Sequence, residues 1–170
     1  MEVNEAIRTK RAIRAFTDQR LPHDVIERVL NAGRRAQSSK NTQPWAFVVV
    51  EDRETLKKLS TCGQYAGHLA GAAFGVALVS AEAGNDFDLG QAAAYMQLAA
   101  WELGLGSCIA SMWEPEKAKA ILGVPPEMSF EIAISFGYPA AEGDRPLKKV
   151  ASSGLRSRRP LAEIVHWEKW

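Results

Sequence analysis

The sequence predicts a mixed fold in which helices cover a central β-sheet, an α/β or α+β sandwich. Helix-like and strand-like segments alternate along the chain, and helices follow strands. The chain has 170 residues, of which 46% are hydrophobic and 24% are charged. This length and composition are typical of an ordinary globular domain with its own core. We therefore expect one domain that spans residues 1–170.

Nine regular segments follow from the hydrophobic periodicity and from the positions of glycine and proline. The predicted elements, in chain order, are a helix over residues 3–10, a helix over 21–37, a strand over 46–52, a helix over 53–60, a strand over 73–80, a helix over 88–106, a strand over 107–112, a helix over 114–126 and a strand over 129–139.

The helix over residues 21–37 has the clearest periodicity. Pro22 suits its first turn, and Asp24 suits the positively polarised amino end of a helix. The strand that follows contains a β-branched run at residues 48–50, which is typical of a buried strand. Between them lies a small polar segment at residues 38–43, richer in hydrogen-bonding groups than a simple connection requires.

The helix over residues 88–106 has the most unusual composition. Asp88 and Gln91 have the spacing of a capping box, which predicts that the helix begins there. No charged residue occurs between Asp88 and Glu102. A helix that is apolar on nearly every face must be buried on nearly every face, so we expect a second copy of the chain to cover it.

The carboxyl-terminal segment from about residue 155 to residue 170 is predicted to be an arm that packs on another subunit. The segment is punctuated by glycine and proline but contains Leu161, Ile164, Val165, Trp167 and Trp170. So much apolar surface is not expected to remain in water.

Charge and composition argue against several broad classes. A net charge of +1 argues against a nucleic-acid binder, which needs an excess of Lys and Arg. The amino terminus lacks the apolar core of a signal peptide, and no apolar stretch is long enough for a membrane span, so we expect a cytoplasmic protein. Cys62 and Cys108 fit no metal-binding spacing and are expected to be buried thiols.

No catalytic group of the protein's own can be assigned. The sequence has no phosphate-binding glycine loop and no nucleophile elbow, and His23, His68 and His166 are expected at surface or packing positions. Three basic clusters either are solvated surface or converge on one anion: Lys10, Arg11 and Arg14; Arg34, Arg35 and Lys40; Arg156, Arg158 and Arg159. A bound cofactor is therefore the expected source of chemistry.

The segments KRAIRAF, SSKNTQPWAFVVV and RRPLAEIVHW, in this order, resemble the flavin-dependent nitroreductase family over nearly the whole chain. The resemblance implies an α+β, three-layer fold with a mostly antiparallel central sheet flanked by helices. It also implies an intertwined homodimer with flavin mononucleotide (FMN) at the subunit interface, and an arm at about 155–170 that embraces the partner.

The resemblance also implies a set of cofactor-binding residues. Lys10, Arg11 and Ala12 match the residues along the phosphate and ribityl side, and Arg14 matches the residue that reaches the pyrimidine edge and supports the reduced flavin. Ser38 and Ser39 match contacts made across the dimer, and Asn41 matches a contact to the imide edge. Ser111 and Met112 match the stretch over the ring system, and Arg156 and Arg158 match the pair that clamps the phosphate.

The activity implied is a two-step, ping-pong transfer of hydride from NADH or NADPH, through FMN, to a nitroaromatic or quinone-type acceptor, with no metal. Three alternatives stay open: a reductive dehalogenase or flavin-consuming enzyme of the same fold, a non-catalytic FMN-binding or redox-sensing module, and a simple anion or nucleic-acid binder. The spectrum of the purified protein separates the last from the others.

Overall fold

The computed structural model describes residues 1–81, 85–140 and 158–170. These residues contain all nine predicted segments, each of the predicted type and with ends that differ by up to four residues. The helices are α1 (Val3–Thr9), α2 (His23–Gly33), α3 (Arg53–Leu59), α4 (Asp86–Glu102) and α5 (Pro115–Leu122), the strands are β1 (Trp45–Val50), β2 (Phe74–Ser80), β3 (Gly106–Ser111) and β4 (Ser129–Gly137), and short 3-10 helices occur at Ser39–Asn41, Ala66–Gly71 and Leu161–Glu163.

The four strands form one sheet in the order β1-β2-β4-β3, with every neighbouring pair antiparallel. The expected mostly antiparallel sheet is thereby confirmed. Trp45 pairs with Ser80, Ser80 with Ser129, and Ser111 with Ile132. The beginning of β1 and the end of β3 therefore lie at the same end of the sheet but on its two opposite edges.

Helices α2 and α4 cover one face of the sheet. Phe74 and Phe136 stack there with ring centroids 4.8 Å apart, and both are fully buried. Gly33 permits the close approach of the two helices, because any side chain at that position would collide with Met96. The core on this face also includes Val29, Val76 and Ile134.

The opposite face is covered by α3, α5 and the 3-10 helix Ala66–Gly71. Leu56, Leu59 and Leu69 are almost completely buried on this side, together with Phe130 of β4. Cys62 belongs to this core, and both cysteines are free and buried, as predicted.

Two expectations for helix ends were wrong. Helix α4 begins at Asp86, so Asp88 lies inside its first turn instead of capping it. The Asp88 carboxylate accepts hydrogen bonds from the Ser39 backbone N–H at 3.2 Å and from Gln91 Nε2 at 3.4 Å, which ties the helix to the segment before β1. Helix α2 ends at Gly33, because the chain turns there and the Ala36 N–H donates to the Gly33 carbonyl.

Candidate cofactor site

A cleft of about 280 Å³ lies beside the edge strand β3. It is lined by Arg14, Tyr65, Ile109, Ser111 and Trp113, which come from three separate parts of the chain. One cation, two large aromatic rings and a stretch of strand edge therefore share one space.

The sequence of β3 determines which groups reach this cleft. Residues alternate along the strand, so that Cys108, Ala110 and Met112 are buried while the residues between them are exposed. The Met112 N–H donates to the Glu131 carbonyl at 2.8 Å. Because hydrogen-bonded and non-hydrogen-bonded pairs alternate in an antiparallel ladder, the N–H of Ser111 faces the open edge of the sheet.

The segment that carries Arg14 is held against the beginning of β3. The Ile13 N–H donates to the Ser107 carbonyl at 3.0 Å, and Ile13 is buried. Gly106 makes this possible, because an added Cβ would lie only 2.5 Å from the Cβ of Ile13. With Ile13 facing the core, its neighbour Arg14 faces the cleft.

The charged groups around Arg14 give this region a positive potential, and they are only partly exposed to solvent. Burial lowers the pKa of Lys10; the nearby Cys108 thiol opposes this effect, and the Arg14 charge adds to it. Burial also raises the pKa of Cys108, although Arg14 and Lys10 both act to lower it. This corner of the fold therefore presents two basic side chains and an uncharged thiol, which favours an anionic or electron-accepting ligand.

A buried histidine lies behind the strand. His68 Nδ1 is 2.7 Å from the Ser135 hydroxyl oxygen. The same hydroxyl donates a hydrogen bond to the Cys108 carbonyl oxygen at 3.3 Å. Among the described residues, Nε2 has no hydrogen-bond partner. Burial, and secondarily the Arg14 charge, lower the pKa of His68 to about 4, while the Ile109 carbonyl acts weakly in the opposite direction. His68 is therefore uncharged at neutral pH.

The polar segment before β1 lies away from this cleft. It forms a tight 3-10 turn in which Lys40 and Asn41 have positive φ angles of 51° and 56°. Ser38 Oγ accepts a hydrogen bond from the Gln43 N–H at 2.9 Å, which stabilises the turn. Because the segment leads into β1, it lies at the opposite edge of the sheet from β3.

Comparison with known proteins identifies the family to which this chain belongs. The family model described as "Nitroreductase family" matches residues 7–63 and 64–138. The chain belongs to the nitroreductase family. One nitroreductase relative, a protein of Archaeoglobus fulgidus named as an NADH dehydrogenase/NAD(P)H nitroreductase, is 32% identical over 154 residues, covering 84% of this chain and 88% of its own.

Solved nitroreductase structures superpose on the whole fold. A nitroreductase of Desulfovibrio desulfuricans, solved in complex with FMN, is 30% identical with a TM-score of 0.80 and covers 100% of this chain and 98% of its own. An FMN-dependent nitroreductase of Clostridium difficile is 27% identical with a TM-score of 0.82, covering 99% of this chain and 100% of its own. The expected fold class is thus confirmed.

The predicted site residues fall into separate groups. Ala12 forms an isolated bridge with Ser107, and Lys10 is half-buried at the end of α1. Arg11 is exposed, and its Nη1 donates to the carbonyls of Arg8 and Lys10 at 2.8 and 2.9 Å. With Arg14 and Ser111, these residues lie along one edge of the sheet.

The remaining predicted residues are placed elsewhere. The Met112 side chain is buried in the core and its N–H donates to the Glu131 carbonyl, so it does not line the cleft; its contact with a cofactor stays a prediction. Ser38, Ser39 and Asn41 lie at the other edge. Arg158 is exposed in the carboxyl-terminal arm, and Arg156 lies outside the described residues.

Sequence reasoning did not identify Tyr65 as a member of the site, and it treated His68 only as a surface or packing residue. Neither residue lies in a recognisable motif: His68 contacts Ser135 of β4 and Tyr65 lines the cleft beside β3, both far away along the chain. Two further findings concern the described residues alone. They contain no cluster of three or more His, Cys, Asp or Glu side chains suited to a metal, and none of their helices has the length and apolarity to cross a bilayer.

Proposed function

We propose that the protein is a homodimeric, FMN-dependent oxidoreductase that passes electrons from NADH or NADPH to a small nitroaromatic or quinone-type acceptor. The observation that carries this proposal is the cleft at β3, where Arg14 and the open N–H edge of Ser111 lie together. Membership in the nitroreductase family supports the same reading.

The chemistry of the cleft fits the ring system of a flavin. A guanidinium and backbone N–H groups suit the polar edge of the ring, and the exposed Ile109 suits its flat apolar surface. When bound, FMN would supply the redox chemistry by accepting a hydride from the nicotinamide and passing two electrons to the acceptor. The protein itself supplies binding, orientation and electrostatics.

Each side chain has a distinct proposed role. Arg14 would stabilise negative charge at the pyrimidine edge of a bound flavin, and the Ser111 N–H would donate a hydrogen bond to its ring system. Lys10, Arg11 and Arg158 hold the phosphate, with Arg156 as a predicted partner. Because His68 is uncharged at neutral pH, it adds no competing positive charge beside Arg14.

The two-edge arrangement supports a dimer. At a strand spacing of about 4.8 Å, the edge strands β1 and β3 lie roughly 14 Å apart across one sheet. The polar segment at residues 38–43 therefore does not complete the cleft of its own chain. In a two-fold dimer, one protomer supplies Arg14 and Ser111 while its partner supplies the polar segment.

Exposed apolar surface supports the dimer independently. Helix α4 is buried on one side only, and Phe87 and Tyr95 on it are exposed. In the described part of the arm, the Trp167 side chain is 83% exposed and the Trp170 side chain is completely exposed. Large apolar side chains exposed in a single chain often mark a protein–protein interface, and a partner subunit would cover these residues.

An anaerobic titration tests the proposal. The purified protein, saturated with FMN and separated from the excess, is titrated with NADH and with NADPH while the flavin absorbance is followed. We expect one of the two donors to bleach the flavin and an added quinone to restore it repeatedly. Bleaching without sustained cycling would indicate a redox-sensing module, and a protein that retains no flavin would contradict the proposal outright.

A further inference from the structure

The polar segment at residues 38–43 has a strained backbone. Lys40, Asn41 and Gln43 have positive φ angles of 51°, 56° and 49°. Among the described residues other than glycine, Glu168 is the only further one with a positive φ. Side chains disfavour this conformation, and Gln43 also precedes a proline, which restricts its backbone further. Such strain persists only where surrounding contacts impose it, and it concentrates at functional sites.

Two side chains of α4 hold this segment from outside. Asp88 Oδ2 accepts a hydrogen bond from the Ser39 N–H at 3.2 Å. Gln91 pairs with Gln37, the residue just before the segment: Gln37 Nε2 donates to Gln91 Oε1 at 2.6 Å, and Gln91 Nε2 donates to the Gln37 carbonyl at 3.4 Å. Because Asp88 and Gln91 lie three residues apart on one helical face and are themselves hydrogen-bonded at 3.4 Å, they act as one unit.

We propose that Asp88 is a positioning residue for the cofactor, which holds the polar segment in the strained conformation that presents its polar groups to FMN. This rests on the proposed function, in which Ser38, Ser39 and Asn41 contact the cofactor in the cleft of the other protomer. A segment already fixed in its binding conformation loses less freedom when the ligand arrives, so the affinity is higher. Asp88 therefore raises the affinity for FMN without touching it.

Limited proteolysis tests the restraint directly. Endoproteinase Lys-C cleaves after lysine, and Lys40 is exposed within the segment. The full-length protein, saturated with FMN, is digested briefly, and cleavage after Lys40 is compared by mass spectrometry with cleavage after Lys57, an exposed lysine of α3. Because cleavage follows the population of the opened segment, Asp88→Ala should accelerate it at Lys40 by about tenfold or more and leave Lys57 within about twofold.

Equilibrium binding tests the effect on the cofactor. The full-length protein, freed of flavin, is titrated with FMN, and quenching of the flavin fluorescence gives the Kd. Asp88→Ala should raise the Kd by about tenfold or more. Asp88→Asn keeps an oxygen that can accept the Ser39 N–H, so its Kd should stay within about threefold of the native value.

Asp86→Ala is the matched control for both measurements. Asp86 lies in the same first turn of α4 as Asp88 and is exposed, so it shares any general effect of a carboxylate at this helix end. We expect Asp86→Ala to change the Kd and the Lys40 cleavage by less than about twofold. Equal losses of affinity in Asp86→Ala and Asp88→Ala would assign the effect to the helix end and would overturn the inference.

Two further results would overturn the positioning role while leaving the proposed function intact. One is equal cleavage after Lys40 in the native protein and in Asp88→Ala, and the other is an unchanged Kd in Asp88→Ala when the native protein binds FMN. A native protein that binds no FMN would instead contradict the proposed function, and the positioning role would fail with it, whatever the cleavage rates.

Discussion

Gly63 lies so close to the carbonyl oxygen of Ser111 that no side chain fits between them. This contact joins the loop after α3 to the end of β3, and through it Tyr65 meets Trp113 at the mouth of the cleft. Two parts of the chain that lie almost fifty residues apart thus form one wall because a single position lacks a Cβ.

Substitution of Gly63 by alanine should disturb both stability and the cleft. The obstructing atom belongs to the backbone, so the loop itself must move, and we expect a loss of about 1–3 kcal/mol in the free energy of unfolding. Gly67→Ala is the matched control, since its Cβ would enter open space. Urea unfolding followed by circular dichroism measures both; equal stability of the two variants would contradict the predicted clash.

His68 makes stability depend on pH in a defined window. Its pKa is about 4 in the folded chain and about 6.5 when unfolded, so between these values the unfolded chain binds more protons. Stability should therefore rise as the pH rises from about 4 to about 6.5, by an amount on the order of 3 kcal/mol.

The variant His68→Asn should lose most of this dependence, because asparagine keeps a polar group near Ser135 but does not titrate. His23→Asn serves as the control, since the His23 side chain is largely exposed. Chemical unfolding at several pH values compares the three proteins. An unchanged slope in His68→Asn would assign the pH dependence to other groups.

Arg14→Gln, kept saturated with added FMN because it is expected to bind the cofactor weakly, should lower the two-electron reduction potential of bound FMN. If Arg14 supports negative charge on the reduced ring, losing a hydrogen bond to a charged group costs about 1.5–3 kcal/mol. For a two-electron couple this corresponds to a potential lower by roughly 30–60 mV. Arg28→Gln, at an exposed position of α2, is the control and should leave the potential unchanged. A potential unaltered by Arg14→Gln would remove Arg14 from its proposed role.

Lys119 is a buried amine with a structural function. Its Nζ donates to the carbonyls of Pro126 and Met128 at 2.8 and 3.3 Å and pairs with Glu116 at 2.7 Å. Lys119→Met leaves these acceptors without their donor, and we expect a loss of roughly 2–4 kcal/mol in stability. Lys117→Met removes only a solvent-exposed pair and should change stability by less than about 0.5 kcal/mol. Similar losses of unfolding free energy in the two variants would show that the buried Lys119 amine contributes no more to stability than an exposed one.

Local patterns were sufficient to predict the elements of the fold but not their arrangement. The β-branched run at residues 48–50 and the glycine and proline after α5 act within a few residues, and the predicted segments were found. Asp88 was misread because its partner, the Ser39 N–H, lies far away in sequence. Strand alternation exposes Ser111 and buries Met112, a difference in side-chain placement that the motif alone does not convey.

The spatial grouping of the candidate site residues could not be predicted from local motifs for the same reason. Arg14, Ser111 and Asn41 all came from local motifs, yet the strand order places Asn41 at the other edge of the sheet. That order depends on long-range pairing, which no local pattern encodes. The same limit explains why Tyr65, which depends on the Gly63 contact, was not predicted.

The mixed dimer of two inactive variants tests most directly whether each cofactor site is shared between protomers. Arg14→Gln removes one half of the proposed site, and Asn41→Gly removes the other while tolerating the positive φ at that position. The two variants, differently tagged, are co-expressed, and the heterodimer is purified through both tags. Its FMN content is measured after removal of free flavin.

In a shared site, the heterodimer contains one intact site and one with both substitutions. We predict that each homodimer retains little FMN, whereas the heterodimer retains about one FMN per dimer, half the content of the native protein. If the heterodimer retains no more FMN than the two homodimers, each site lies within a single chain and the account is contradicted.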